Sequence, residues 1–259
     1  MTLPTISFDL DHTLMINPFR KWIFPELEEW FRPRLPAGSP SVLQRMAEEH
    51  RSRLKRKDFV RAYDWDDIWN RLTAEVGEPS PFTVEELVRR HATIGKVWRF
   101  SDAMPALEEL QSRGIPLVVA TNGLEKYQRP VTDCLGLTPL FTDFHTPCKQ
   151  GCAKPEADFF RSCPRPLLHV GDRLDQDILG ANRSGAVSVW IHRDLPAEWR
   201  TLSPEERKKH PKWRHLLQEK LKKEGCEGPL TPELEPDFPI MSLEELPAVW
   251  ERIRNRSRA

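Results

Sequence analysis

Residues 5–9 (TISFD) form a short apolar run that ends on an aspartate. Similar runs recur at 116–121 (PLVVAT), 167–171 (LLHVG) and 187–192 (VSVWIH). Each is brief, rich in Leu or β-branched residues, and lacks polar alternation, the pattern of parallel strands covered on both faces. Helical periodicity lies between the runs, for example over 102–113 (DAMPALEELQSR), closed by Gly114. Alternation of strand and helix predicts an α/β protein built on an open parallel sheet. Ligands in such sheets sit outside the carboxyl ends of the strands. Three of the four runs place polar residues just there: Asp9 and Asp11, then Thr121 and Asn122, then Asp172.

Residues 18–100 read differently. Amphipathic segments near 18–31, 41–56, 58–76 and 83–98 are separated by Pro-rich or Gly-rich breaks, which predicts a helical insertion after the first strand. Its aromatic residues (Trp22, Trp30, Phe59, Trp65, Trp69, Trp98) are read as helix-packing core rather than a stacking platform. A second interruption, 194–236, is rich in Lys, Arg, Glu and Pro and precedes a final strand at 238–240. A terminal helix over 242–254 opens with Ser242 and Glu245, a capping-box spacing. The division expected is a core of 1–17 and 100–259, with 194–236 a charged insertion within it, and a helical domain of 18–99.

Composition narrows the function only a little. Formal net charge is zero over 259 residues, so bulk electrostatics favours neither nucleic acid nor an acidic membrane. No apolar stretch approaches the roughly 20 residues of a membrane span, and the first residues lack a signal-peptide pattern. Five scattered cysteines fit free thiols in a reducing cytoplasm.

The chemistry gathers at the strand ends. Asp9 and Asp11 stand at i and i+2, so an extended chain turns both carboxylates to one side. One can attack phosphorus while the other handles the proton of the leaving group. Thr121-Asn122-Gly123 offers a hydroxyl and backbone N–H groups to phosphate oxygens, with glycine permitting close approach. Lys154 supplies a cation, and Asp172 and Asp177 add carboxylates. Acidic groups around a phosphate repel it unless a hard cation intervenes, which Mg²⁺ would satisfy.

Taken in order, FDLDHTL, ATNG, KP and GDRLDQDILGA resemble the four motifs of the haloacid dehalogenase superfamily. NGLEKYQRPVTDCLGL and PDFPIMSLEELPAV are similar to segments of members with a helical C1-type cap, the phosphoglycolate phosphatase and nucleotidase-like branch. The resemblance implies a Rossmann-like core with an all-helical cap, and a Mg²⁺-dependent phosphatase working through an aspartyl-phosphate. Asp9 would be the nucleophile and Asp11 the acid/base, with Thr121 and Lys154 binding the phosphoryl group. Mg²⁺ would be held by Asp9, the Asp11 carbonyl and Asp172, with Asp177 in support of the metal or of Lys154. Thr13, Asn122, Gly123 and Arg20 are expected to contact substrate, a small phosphorylated metabolite. His12 stands where many relatives have glycine. Dehalogenases of the family lack a carboxylate at the position of Asp11, so phosphoester hydrolysis is favoured over dehalogenation. A non-catalytic or regulatory binding protein on the same fold is the remaining alternative.

Cys148, Cys152 and Cys163 lie near Lys154 in sequence, but C-x₃-C without a second pair reads as thiols rather than a zinc site. The basic stretch 207–223 reads as a solvated helix face, with no nucleic-acid partner expected. Because 194–236 follows a strand, part of it is expected to frame the substrate entrance beside the cap. Arg20 and Lys21, early in the cap, are candidates for a substrate's distal group.

Overall fold

A computed structural model describes residues 5–165 and 167–256. Among the described residues eight strands form: β1 (Thr5–Phe8), β2 (Met15–Ile16), β3 (Trp98–Arg99), β4 (Leu117–Ala120), β5 (Asp143–His145), β6 (Leu167–Gly171), β7 (Val187–Ile191) and β8 (Phe238–Ile240). Six of them make one sheet in the order β5-β4-β1-β6-β7-β8, and every pairing in it is parallel. β1 lies near the middle, in register with Leu117–Val119 on one side and Leu167–Val170 on the other.

The lack of alternation along the strands has a direct cause. Leu117 and Val119 face one apolar cluster, whereas Val118 and Ala120 face another with Phe159, Phe160 and Ala181. Both faces are therefore dry, and nothing selects for polar residues at every second position. β5 was not foreseen: it is three residues long at the sheet edge, and its Asp143 is exposed. The capping box at Ser242 forms as expected, with reciprocal hydrogen bonds to Glu245, and a helix continues over Leu246–Arg256.

Between β2 and β3 the chain is helical, with its longer elements at Phe24–Phe31, Val42–Lys55, Trp65–Val76 and Val84–His91. Two boundaries differ from expectation. The 58–76 segment divides because Asp64 accepts hydrogen bonds from the N–H groups of Asp66 and Asp67 and so starts a new helix. The last helix stops at His91 rather than running to 98. Gly95 then turns at φ 90°, and Trp98–Arg99 pairs antiparallel with Met15–Ile16. This ribbon joins the two ends of the inserted segment where it leaves the sheet.

The 194–236 segment carries helices at Pro204–Lys209 and Trp213–Lys223. The solvated reading of 207–223 holds for only one side. Trp213, Leu217 and Leu221 are buried with Trp190 of β7, Trp199, Leu174 and Ile178, and Arg207 is buried with its guanidinium donating to Trp199 O and Pro239 O at 3.1 Å each. No helix among the described residues is long and apolar enough to cross a membrane.

Candidate active site

Asp9 follows β1, and its N–H donates to Val170 O of β6 at 2.9 Å, so the sheet register fixes where its carboxylate emerges. Beyond it the chain folds back on itself: the N–H groups of Leu14 and Met15 both donate to Leu10 O, at 2.8 and 3.0 Å. His12 sits at the apex with φ 62°, the left-handed region that favours glycine. That conformation accounts for the glycine resemblance at this position, and His12 itself faces the cleft.

Lys154 is the hub. Its buried ammonium donates to Asp9 Oδ1 at 2.7 Å, Asp177 Oδ1 at 2.5 Å and Ala120 O at 2.8 Å. Burial works against its charge, but the Asp177 and Asp9 carboxylates more than compensate and raise its pKa. Asn122 fixes the lysine's backbone: its Oδ1 accepts from Lys154 N at 2.8 Å, and its Nδ2 donates to Lys154 O at 3.1 Å.

The carboxylates separate by environment. Burial lifts Asp9 and Asp172, and the neighbouring Asp177 charge adds to both. Burial also acts on Asp177, but Lys154 and a hydrogen bond from His169 overcome it and hold Asp177 far below the usual range. Asp11 is raised by burial, which a hydrogen bond from Gln128 Nε2 to its Oδ2 at 3.0 Å only partly offsets. Its other oxygen, Oδ1, is buried and has no hydrogen-bond partner. Asp9, Asp172 and Asp177 each present a carboxylate oxygen within 4.8 Å of the others, a set suited to a hard cation.

Two glycines are required by close approach. A Cβ on Gly171 would fall 2.2 Å from Asp177 Cγ, and one on Gly123 would fall 2.1 Å from Gln128 Nε2. Either side chain would push aside a group that aligns the acidic cluster.

The cleft above these groups encloses about 380 Å³. Asp9, Asp11, Thr121, Asn122, Gly123 and Asp172 line its floor, and Arg20 stands exposed on its wall.

The profile of the haloacid dehalogenase-like hydrolase family matches residues 3–185. The chain belongs to the haloacid dehalogenase-like hydrolases. Among curated proteins, this hydrolase is 27% identical to a glyceraldehyde 3-phosphate phosphatase of Methanopyrus kandleri over 74% of its own length and 84% of the relative's. Among solved structures, it superimposes on a phosphatase of the family from Thermococcus onnurineus with a TM-score of 0.55 and 24% identity, covering 95% and 97% of the two chains. The L-2-haloacid dehalogenase of Xanthobacter autotrophicus matches with a TM-score of 0.58 and 16% identity, over 96% and 99%. Phosphatase and dehalogenase thus share this backbone, and fold alone does not choose between them.

Several expected contacts move. Thr13 is fully buried and does not reach the cleft, because the tight loop turns it inward and its carbonyl accepts from Arg193 Nη2 at 2.8 Å. Asn122 borders the cleft, but both ends of its amide are engaged by Lys154, Tyr63 and Gln176. Asp177 lies beneath the cleft rather than in its wall, with Oδ1 taken by Lys154 and His169 and Oδ2 by Arg173 N. Lys21 lies over the rings of Trp22 and Trp98 instead of the cleft. No residue of 194–236 lines the cleft among the described residues. The cysteines are free; Cys163 is buried near His145, and Cys152 packs against the same apolar cluster.

Gln128, Tyr63, Trp65 and Tyr127 were missed as cleft residues. Trp65, which the sequence reads as packing core, also borders the cleft. For Gln128 the signal was its position on the helix after ATNG, where one turn brings it back over Gly123 and Asp11.

Proposed function

We propose that this hydrolase is a Mg²⁺-dependent phosphatase in which Asp9 takes the phosphoryl group from a small phosphorylated metabolite. The observation that carries the reading is Asp9 on the floor of the cleft, beside Asp11 and Asp172, with the buried Lys154 ammonium 2.7 Å from its Oδ1. The named phosphatase relative supports it. Asp11 favours it over dehalogenation.

The Asp9 carboxylate attacks phosphorus and the bond to the ester oxygen breaks, with Asp11 giving that oxygen its proton. Water then attacks the aspartyl-phosphate, Asp11 takes the water's proton, and phosphate leaves. Lys154 and Thr121 bind the phosphoryl oxygens, and Asp177 holds Lys154 through an ion pair at 2.5 Å. The oxygens of Asp9 and Asp172, with the Asp11 carbonyl, would hold Mg²⁺. The fit is chemical: carboxylate oxygens of Asp9, Asp172 and Asp177 lie within 4.8 Å of one another, and burial together with the Asp177 charge raises Asp9 and Asp172. Bound there, Mg²⁺ supplies charge neutralisation for the phosphoryl group.

Residues 18–99 serve as the cap over a core of 1–17 and 100–259. Phosphate release from p-nitrophenyl phosphate tests the reading: turnover requires Mg²⁺ and is lost in Asp9→Asn. Metal-independent turnover, or an active Asp9→Asn, contradicts it. A folded protein with no turnover on any phosphate ester points instead to a binding protein.

A further inference from the structure

The floor of the cleft is polar, and an aromatic group borders it as well. Phe19, Phe24, Trp65, Tyr63 and Tyr127 all border it. Phe19 is the centre of the group, with ring centroids 5.7 Å from Phe24, 6.2 Å from Trp65 and 5.9 Å from Tyr127. Phe19, Phe24 and Trp65 are half-buried, so each keeps surface after packing on its neighbours. Arg20, exposed beside them, forms no ion pair among the described residues. An open-chain polyol phosphate gains little from that aromatic group, against which its hydroxyl groups would lose water without finding partners. A flat ring would gain by stacking and edge contacts, with Arg20 available to an acceptor on its rim.

Resting on the phosphatase reading, we propose that the substrate is a phosphomonoester whose alcohol carries an aromatic or heteroaromatic ring, held between Phe19, Phe24 and Trp65. The test compares uridine 5′-monophosphate with glyceraldehyde 3-phosphate, both primary alkyl esters, so leaving-group chemistry is nearly matched. The expected result is at least about tenfold higher kcat/KM for the ring-bearing ester. Trp65→Leu should remove roughly tenfold of that advantage, with the loss falling mainly on the ring-bearing ester. Phe19→Leu repeats the measurement should the first variant fold poorly. Preference for the open-chain ester, or equal losses on both, overturns the proposal. Turnover of p-nitrophenyl phosphate in the same preparations keeps that failure separate from failure of the phosphatase reading.

A second inference rests on different residues. The helix Trp213–Lys223 lies outside the cleft, yet its end reaches the loop that carries Asp172 and Asp177. Lys220 Nζ is 3.5 Å from Asp172 Oδ2 and 3.2 Å from Glu224 Oε1. Glu224 accepts from the N–H groups of Leu174 and Asp175 at 3.1 Å. Trp190, packed on the same helix, donates from Nε1 to Asp172 O at 2.9 Å. Glu224 is 3% exposed at its side chain and Lys220 17%, which is well sheltered for surface-type residues.

We infer that 194–236 is a brace on the metal-binding loop. Lys220 is a tethered counter-charge for Asp172, and Glu224 is a positioning residue for 172–177. The readout is Mg²⁺ affinity of the full chain by calorimetry. Lys220→Met removes a competing cation and should tighten Mg²⁺ roughly three- to tenfold. Glu224→Gln loosens the loop and should weaken Mg²⁺ by a similar factor, and Lys220→Arg should keep the parent affinity. Unchanged affinity, within about twofold, in folded Lys220→Met and Glu224→Gln proteins overturns the inference, as does Lys220→Met binding Mg²⁺ more weakly.

Discussion

Two helical segments leave the sheet of this hydrolase, and both reach the same site. Residues 18–99 supply aromatic walls and Arg20 to the cleft. Residues 194–236 line none of it, yet they pack Trp199, Trp213, Leu217 and Leu221 against β7 and reach Asp172 through Lys220. Both begin near carboxyl ends of strands, where function is expected in an open parallel sheet. Starting at the catalytic edge therefore does not decide whether a segment touches substrate. What decides it is where its apolar residues are buried: Trp65 leaves part of its ring to the cleft, whereas Leu217 leaves none.

The comparison breaks most severely at the floor both segments share. Lys154→Met should lower kcat by roughly 10²–10⁴-fold and leave Asp9 and Asp177 without their shared cation, measurable as lost turnover together with a reduced Tm. Asp11→Asn should be selective. Esters with poor leaving groups should lose about 10²-fold or more, and p-nitrophenyl phosphate far less, because its leaving group needs little help from a proton donor.

Effects on the brace are read in stability rather than specificity. Leu217→Ala should cost about 3 kcal/mol by denaturant unfolding, since the side chain is fully buried in an aromatic cluster. The ratio of ring-bearing to open-chain kcat/KM should stay as in the parent. A changed ratio would mean that 194–236 shapes the cleft after all.

A smaller effect follows from His192, which stacks on Trp190 with ring centroids 4.7 Å apart. Burial, with Lys220 nearby, lowers its pKa to about 4. The folded protein therefore holds His192 neutral while the unfolded chain protonates near 6.5. Its stabilising contribution is complete above about pH 6.5 and falls as pH drops toward 4. His192→Gln should flatten that part of the stability profile by roughly 1–2 kcal/mol, seen as a smaller loss of Tm on acidification.

Much of this was legible in the sequence because strand ends and motif residues are local features. TISFD, LVVA and LLHVG each needed only a dry environment on both faces to be read as strands. The meeting of Asp9 with Lys154 followed from the family motifs. The cleft walls did not follow, because a tryptophan on an amphipathic helix looks the same whether it packs inward or borders a cavity. Trp65 reads as packing for that reason, and it does both. Thr13 was misplaced because a tight loop with His12 at positive φ turns its side chain inward, and no spacing rule shows that. The brace was illegible since Lys220 and Asp172 are distant in sequence and only the folded helix brings them within 3.5 Å.

The central claim is that Asp9 becomes phosphorylated. Rapid-quench mass spectrometry during a single turnover, with Mg²⁺ present, examines it directly. A transient phosphoryl adduct on the peptide containing Asp9, absent from Asp9→Asn, is the predicted result. Turnover at full rate with no adduct, or an adduct on another residue, would contradict it.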